Sequence, residues 1–323
     1  MWGKEDPGPP DPHHPFRLCP LRFMASGGRA NLALAFHLLK RDEMRELITT
    51  ALAAADAAAA IHRDWAGRIG SDQAAEKTAS SDFVTRVDLE AQEAALERIR
   101  ADFPQHRILA EEGDDPDGHL EGDGDGPVWV VDPLDGTTNF LHGHPAYCAS
   151  VGVVVEGAPI VGAVVAPVTG ERWWAARGEG AYRNGSTIQV SSTRDLRHAL
   201  IGTGFPFKLL HALPTFQRQL AAVLPATSGI RRCGSAALDL CTLAQGALDA
   251  FWELELSPWD VVGGLAILHE AGGISARIDG APLDPLLRGS VLAANSPELM
   301  ASLGRLLAEQ EPGMPAQEEG RPT

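Results

Sequence analysis

The sequence predicts an α/β (α+β) protein built of helices and sheets in layers, and the order of its segments carries this prediction. Two helical segments open the regular part of the chain, β-rich segments fill the middle, and strands alternate with helices in the last third. The change from the β-rich middle to the alternating part falls near Val190, which gives a soft boundary between two halves.

The first elements are expected to be two helices. Residues from Met44 to about Ala66 are rich in alanine and hold no helix breaker, and alanine has the highest helix propensity. A polar loop follows, and apolar side chains then recur at helical spacing in a second segment. Its predicted buried face consists of Leu89, Leu96, Ile99 and Phe103.

The middle of the chain predicts an antiparallel meander. Short apolar runs follow one another in VWVV, YCASVGVVVEG, PIVGAVVAP, RWWAA, GAYR and TIQVS, and Asn184-Gly185 is a good hairpin turn. The last third predicts strands at 200–203, near Ile230 and in ALDAFWE. Helices are expected from about Phe207, in SAALDLCTLAQG, in PWDVVGGLAILHEAGG and after Ser296-Pro297.

Composition restricts the class of protein. With 323 residues, 44% hydrophobic and 22% charged, the chain has enough apolar material for one large domain or two modest ones. Its formal net charge of -16 argues against a nucleic-acid partner. The four cysteines show neither a CxxC pair nor zinc spacing, so a reducing cytoplasm is expected. No apolar run reaches the roughly 18 to 20 residues that span a bilayer, so no membrane association is expected.

The two ends of the chain are expected to lie outside the folded domain. Residues 1–43 are rich in proline, glycine and mixed charge, and predict a disordered extension in which ANLALAFHLLK is a short helical stretch. Residues 309–323 predict a disordered polar tail. The folded domain is therefore expected over 44–308, with halves at 44–190 and 191–308, and Met44 is an alternative start.

Acidic residues stand at the ends of apolar segments, where each is either a helix cap or a ligand. The set comprises Asp88, Glu111, Glu112, Asp132, Asp135 and Asp260. Two of them lie in VWVVDPLDGTTNF, residues 128–140, only three positions apart. An Asx turn bent by Pro133 accounts for one of these acids, but not for two acids followed by Gly-Thr-Thr.

A metal site accounts for both acids. If a helix or turn begins near Gly136, the free N–H groups of Gly136 and Thr137 form an anion site. Carboxylates beside a bound phosphate would repel it unless cations lie between them, and Mg²⁺ prefers hard oxygen ligands of this kind. The plain alternatives are that Asp88 only caps the second helix and that Asp260 only caps its helix after Pro258.

Two stretches resemble the signatures of a known family. DPLDGTTNF resembles the first signature of the inositol monophosphatase family, and WDVVGGLAILHEAGG resembles the second; AEEG and EKTASSDFVTRVD also fall in family order. The resemblance covers about residues 44–308. It implies a five-layer αβαβα sandwich of the sugar phosphatase type, two to three Mg²⁺ ions per subunit, inhibition by lithium and a homodimer.

The resemblance also implies a set of metal ligands. A first Mg²⁺ ion would be bound by Glu111, Asp132 and the backbone carbonyl of Leu134. A second would be bound by Asp132, Asp135 and Asp260, so that Asp132 would bridge the two ions. A third, weaker ion would share Glu111 through water. Glu112 continues the double-acid pattern without a ligand role.

Further roles are implied for catalysis and substrate binding. Thr137 would orient the attacking water, Asp88 would act from the outer shell, and Lys77 would lie on a mobile loop, although it is otherwise a solvated lysine. The implied catalytic residues are Glu111, Thr137, Asp88 and Lys77. The implied substrate contacts are Asp135, Gly136, Thr137, Gly234, Ser235, Ala236, Glu253 and Asp260. Helix capping alone explains Ser235 almost as well.

The expected activity is hydrolysis of a phosphate monoester. Such an ester resists attack because its dianion repels the nucleophile, and paired divalent ions neutralise it, activate water and stabilise the leaving alkoxide. The RRCGSAALDL segment resembles bacterial inositol monophosphatases, which favours myo-inositol 1-phosphate as the substrate. Histidinol phosphate and fructose 1,6-bisphosphate stay open, as does a different class, a non-catalytic interaction module.

Overall fold

Three layers of helices alternate with two mixed β-sheets, as expected from the sequence. The computed structural model describes residues 41–69, 75–76, 83–113, 119–122, 126–207 and 209–310. Lys77, residues 1–40 and residues 311–323 lie outside the described residues, so the predictions for them stay predictions. Within the part that is described, no helix is both long and apolar enough to cross a bilayer.

The first layer consists of two helices, α1 (Arg41–Trp65) and α2 (Arg86–Asp102). Alanine side chains let α1 approach the first sheet closely, and they form much of the core between them. The expected face of α2 was wrong at one position, because Leu89 is 55% exposed while Leu96 and Ile99 are buried. The buried stripe begins at Val87 and continues at four-residue steps along the helix. Leu89 comes two positions after Val87 and therefore lies about 200° around the helix from that stripe.

The first sheet has eight strands and contains the predicted meander. Its strand order is β10-β9-β8-β7-β6-β5-β3-β4, antiparallel throughout except for the parallel pair β3 and β5. The strands are β3 (Arg107–Ala110), β4 (His119–Glu121), β5 (Val128–Asp135), β6 (Cys148–Val155), β7 (Ala158–Ala166), β8 (Glu171–Ala176), β9 (Gly180–Arg183) and β10 (Ser186–Ile188). A separate two-stranded ribbon pairs β1 (Ala75–Glu76) with β2 (Phe83–Val84). Positive φ angles at Asn184 and Gly185 confirm the hairpin turn.

The second sheet has five strands in the order β12-β11-β13-β15-β14. Its central strand β13 runs parallel to β11 and antiparallel to β15. The strands are β11 (Leu200–Thr203), β12 (Gly229–Arg231), β13 (Ala250–Leu256), β14 (Ile274–Ala276) and β15 (Gly289–Ala294). Because β11, β12 and β13 are parallel, their carboxyl ends meet at one edge, where a ligand site is commonly found.

The middle helix layer lies between the sheets and is buried on almost every side. It contains α5 (Ala236–Ala244) and α6 (Pro258–Glu270), and the short α3 (Thr137–Leu141) follows β5. Three glycines allow α6 to lie directly on the first sheet: a Cβ on Gly152 or Gly162 would collide with α6 around Gly263. This close approach fixes the position of the amino end of α6 relative to β5 and β6.

The outer layer covers the other face of the second sheet with α4 (Leu213–Val223) and α7 (Pro297–Ala308). The helix expected from about Phe207 begins at Leu213 instead, after a 3-10 turn at Leu210–Ala212. Pro214 lies in the first turn of α4, where its missing N–H costs nothing, so it marks the true start. The cap at Ser296 is confirmed, because its side chain accepts a hydrogen bond from the N–H of Leu299.

Candidate metal and phosphate site

A bulge at the end of β5 places two aspartates together. Asp132 pairs with Ser150 of β6 and Asp135 pairs with Cys148, so three steps along β5 match two steps along β6. Side chains alternate between the two faces of a regular strand, and residues three apart would point to opposite faces. The extra residue cancels that alternation and lets both carboxylates point toward the same space.

A third aspartate completes the cluster from the other half of the chain. Oxygen atoms of Asp132, Asp135 and Asp260 all lie within 4.8 Å of one another. Asp260 belongs to the first turn of α6, where it accepts a hydrogen bond of 2.6 Å from the N–H of Ser257. It therefore caps its helix and joins the cluster, so the two sequence interpretations of Asp260 do not exclude each other.

Glu111 extends the cluster on the side of β3. It follows that strand directly, its N–H donates to the carbonyl of Val131, and its side chain hydrogen-bonds Asp132. The next residue, Glu112, is buried, and its backbone is held by both ends of the Gln92 amide at 2.7 and 2.8 Å. Gln92 was missed at the sequence level, although its place on the buried face of α2 was a signal for it.

The carboxylates of this cluster lie close together, and those of Asp132 and Asp135 are buried. Burial first, and then the carboxylates of Glu111, Asp135 and Asp260, raise the pKa of Asp132 well above its usual value. Burial and the nearby Asp260 raise the pKa of Asp135 to about 7. A set of hard carboxylate oxygens that repel one another fits a divalent cation such as Mg²⁺.

Leu134, whose carbonyl is the predicted backbone ligand, is hydrogen-bonded to Asp132 through its N–H. The N–H of Leu134 donates to Asp132 Oδ1 at 3.0 Å, which fixes the peptide between the two acids. Thr137 Oγ1 lies 3.1 Å from the Leu134 carbonyl oxygen and 3.0 Å from Asp88 Oδ1. The threonine hydroxyl has one proton, so it donates to one of these two acceptors at a time.

Asp88 caps α2 and also reaches Thr137. Its Oδ2 atom accepts hydrogen bonds from the N–H of Thr85 at 2.8 Å and from the Thr85 hydroxyl at 2.5 Å, which forms the capping box of α2. Its Oδ1 atom meets Thr137. The buried carboxylate therefore anchors Thr137 to a rigid helix end.

His62 holds the backbone between Asp132 and Asp135 through a hydrogen bond to Pro133, a role that was not predicted from the sequence. It is fully buried on α1, and its Nε2 atom lies 2.7 Å from the carbonyl oxygen of Pro133. Burial lowers the pKa of His62 to about 4, so the ring is neutral near pH 7 and Nε2–H donates to that carbonyl. A lone histidine on the alanine face of α1, one turn after Ala58 and Ala59, was the available signal.

The predicted phosphate contacts lie where β5 meets α3. Gly136 has a φ of 97°, and a Cβ there would lie 2.8 Å from the carbonyl oxygen of Ala146. Only glycine fits this turn without strain. The N–H groups at the start of α3 have no partner within that helix, as at any helix start. His142 and His144 on the neighbouring loop are exposed.

The predicted substrate segment in the second half reaches the same place. Ser235 Oγ donates to Asp135 Oδ2 at 2.6 Å, and the N–H of Ala237 donates to the same oxygen at 2.8 Å. Ser235 also caps α5, since its side chain accepts from the N–H of Leu238. The structure thus brings Gly234, Ser235 and Ala236 beside the aspartate cluster.

Glu253 lies at the carboxyl end of the parallel strands. Its carboxylate lies against Gly204, where a side chain would collide with it. Burial, followed by the charges of Asp239 and Asp260, raises the pKa of Glu253 well above its usual value. Asp239 was missed at the sequence level: it is buried on α5 next to the Cys233 thiol, and burial raises its pKa to about 8.

A family match agrees with this geometry. A model of the inositol monophosphatase family matches residues 43–311, which is most of the chain. The chain belongs to the inositol monophosphatase family. This family consists of metal-dependent phosphatases that bind phosphate esters, and the aspartate cluster described above is a candidate metal site of that kind.

Members of the inositol monophosphatase family similar to this chain carry two kinds of name. An inositol-1-monophosphatase of Synechocystis sp. is 41% identical over 251 residues, which cover 77% of this chain and 84% of that protein. The Nus factor SuhB of Pseudomonas aeruginosa is 38% identical over 257 residues, covering 78% and 93%. The solved structure of inositol monophosphatase from Anabaena sp. has a TM-score of 0.70 at 36% identity, covering 84% of this chain and 98% of that one.

Proposed function

We propose that this protein is a cytoplasmic Mg²⁺-dependent phosphomonoesterase that hydrolyses a small polyol phosphate, with myo-inositol 1-phosphate as the first candidate. The observation that carries the proposal is the convergence of Asp132, Asp135 and Asp260 within 4.8 Å, with Glu111 hydrogen-bonded to Asp132. A buried cluster of acids from two halves of a chain is costly unless it holds cations.

The proposed ligands divide between two principal ions. Glu111, Asp132 and the Leu134 carbonyl would hold one Mg²⁺ ion, and Asp132, Asp135 and Asp260 would hold another; a third, weaker ion would share Glu111. When bound, these ions supply charge neutralisation, activation of water and stabilisation of the leaving oxygen. The same proposal includes inhibition of the phosphatase activity by lithium ions.

The side chains of the protein would do the positioning. When Thr137 donates to Asp88, its oxygen lone pairs are free to accept a hydrogen bond from a water molecule and orient it. The N–H groups of Gly136 and Thr137 would bind phosphate oxygens. Lys77, which lies outside the described residues, stays a proposed catalytic residue on a mobile loop over the metals.

The leaving alcohol would lie against the second half of the chain. Glu253 would form a hydrogen bond with a ring hydroxyl, as acceptor when its carboxyl group is ionised and as donor when it is protonated. Gly234, Ser235 and Ala236 would line the other side of the alcohol. Selectivity among small polyols depends on few such hydroxyl contacts. Histidinol phosphate and fructose 1,6-bisphosphate therefore stay as alternative substrates.

A second candidate comes from the relatives named Nus factor SuhB, which favour an interaction module that works with transcription machinery. The intact acid cluster supports catalysis instead, and the net charge of -16 speaks against general binding of nucleic acid. The proposed partner is thus a small phosphate ester, and the homodimer stays a prediction.

Phosphate release from a panel of esters tests the proposal. Purified protein is assayed with and without Mg²⁺ on myo-inositol 1-phosphate, histidinol phosphate and fructose 1,6-bisphosphate. Release that depends on Mg²⁺ and is fastest for the inositol ester supports the proposal in full. Faster release from another ester would identify that ester as the substrate instead of myo-inositol 1-phosphate. No release from any ester would refute the proposed enzymatic activity.

A further inference from the structure

Asn139 joins the two halves of the chain at the proposed site. Its side chain lies on α3, and its Nδ2 atom is 2.6 Å from the carbonyl oxygen of Ala146 and 3.0 Å from that of Cys233, with the Gly234 carbonyl at 3.4 Å. A primary amide has two N–H groups, so the two shorter contacts satisfy it. One of them crosses 94 residues of sequence.

Two glycines lie close to this amide and to one of its acceptors. The carbonyl of Ala146 is also the group that a Cβ on Gly136 would strike, at 2.8 Å. On the other side, a Cβ on Gly234 would lie 3.0 Å from Asn139 Nδ2. The amide therefore fills the space between two glycine turns, one at the proposed phosphate site and one at the proposed alcohol site.

Two independent links hold the substrate segment, residues 233–237, to the first half. Asp135 holds its later part through Ser235 and Ala237, and Asn139 holds its start at Cys233. Asp135 is also a proposed metal ligand, so its link is shared with the metal. Asn139 does not belong to the proposed ligand set, and its link depends on the protein alone.

We propose that Asn139 is a positioning residue that sets the substrate segment against the aspartate cluster and so determines how tightly the alcohol part of the substrate is held. This inference rests on the proposed function, since it needs an ester substrate. An amide hydrogen bond to a backbone carbonyl fixes both distance and direction. A carboxylate in its place would turn an acceptor toward two carbonyl oxygens.

Three variants test the proposal. Asn139→Ala removes both bonds, Asn139→Asp keeps the shape and repels the carbonyls, and Thr138→Ala changes an exposed neighbour as a control. We expect Asn139→Ala to raise KM for the ester about tenfold, with kcat lowered less than about threefold, since a lost buried hydrogen bond weakens binding by about that factor. Asn139→Asp should raise KM further, and Thr138→Ala should change neither constant.

Two further measurements separate positioning from general damage. Isothermal titration with Mg²⁺ alone should give the wild-type affinity for Asn139→Ala, and amide hydrogen exchange should speed up in residues 233–237. Unchanged KM, or equal losses in kcat and Mg²⁺ affinity, would overturn the inference. If wild-type protein is active and Asn139→Ala matches it, only this inference fails; if wild-type protein hydrolyses no ester, the proposed function fails.

Discussion

The carboxylate of Asp135 is hydrogen-bonded to the second half of the chain and also belongs to the aspartate cluster. Its Oδ2 atom accepts hydrogen bonds from Ser235 and from the N–H of Ala237, while the group also belongs to the cluster with Asp132 and Asp260. In Asp135→Asn the amide oxygen can keep these hydrogen bonds, but the charge that attracts a cation is gone. This variant therefore separates the hydrogen bonds that Asp135 makes from its proposed role as a metal ligand.

Asp135→Asn should therefore keep the fold and lose turnover. We expect kcat to fall at least about 100-fold, because the loss of one carboxylate weakens the binding of the metal ions that would hold the reacting phosphate. The metal-free variant should melt at a higher temperature than metal-free wild type, since one of several repelling charges is removed. Circular dichroism and phosphate release measure the two effects. Retained activity in Asp135→Asn would refute the metal assignment.

His62 gives stability a dependence on pH that can be isolated. Burial lowers its pKa from 6.5 to about 4, so between these values the unfolded chain binds the additional proton. The free energy of unfolding should then decrease as the pH falls from 6.5 to 4, by at most roughly 3 kcal/mol from this residue. His269, whose pKa burial also lowers to about 4, adds a term of the same sign.

The variant His62→Gln tests this prediction, because glutamine keeps an N–H donor and does not titrate. Urea unfolding at several pH values, with saturating Mg²⁺ to suppress titration of the aspartates, should show a shallower loss of stability at low pH in the variant. Parallel curves for wild type and variant would show that His62 already titrates at its ordinary pKa.

At the scale of elements, α6 carries Asp260 to the cluster because its glycines fit the first sheet. A Cβ on Gly263 would collide with the hydroxyl of Ser150 and approach the carbonyl of Val151 to 3.3 Å. The backbone of Gly263 needs no unusual φ angle, so the requirement is for space alone. Any residue larger than glycine must push α6 away from β6.

Gly263→Ala should lower both stability and Mg²⁺ affinity. We expect a loss of about 1 to 3 kcal/mol in the free energy of unfolding, as is usual for overpacking. Because Asp260 lies three residues earlier, its displacement should weaken Mg²⁺ binding in isothermal titration. Gly126→Ala is the matched control, since nothing lies within 4 Å of its added methyl, and it should change stability by less than about 0.5 kcal/mol. Normal Mg²⁺ affinity in folded Gly263→Ala would contradict this account.

The elements also show what the sequence could predict. The order of helices and strands was predictable because apolar periodicity, caps and the Asn184-Gly185 turn are local signals. The start of α4 was missed although Pro214, in its first turn, was a local signal for it. The outward side of Leu89 was not predictable, because it depends on which stripe of α2 is buried. Contacts such as Asn139 with Cys233 join residues 94 positions apart, and no local pattern encodes them.

For the whole molecule, the aspartate cluster is a junction between the halves. Asp132 and Asp135 come from the first half, and Asp260 and Ser235 come from the second. A cation has a site at this cluster in the native state but not in the unfolded chain, where the two halves are separated. Binding of the cation should therefore raise the stability of both halves together. The expectation is a single unfolding transition that moves to higher temperature with Mg²⁺ concentration.

Binding of Mg²⁺ should also release protons near neutral pH. Without metal, burial and neighbouring carboxylates raise the pKa of Asp135 to about 7 and that of Asp132 well above its usual value, so the cluster carries protons at pH 6.5. A cation must displace them, and the association constant should rise with pH, by up to about tenfold per unit for each proton released. Isothermal titration in two buffers of different ionisation enthalpy measures the release, because the apparent heat then differs between the buffers. Asp135→Asn should release fewer protons than wild type, and equal heats in both buffers for wild type would show that the carboxylates are already ionised.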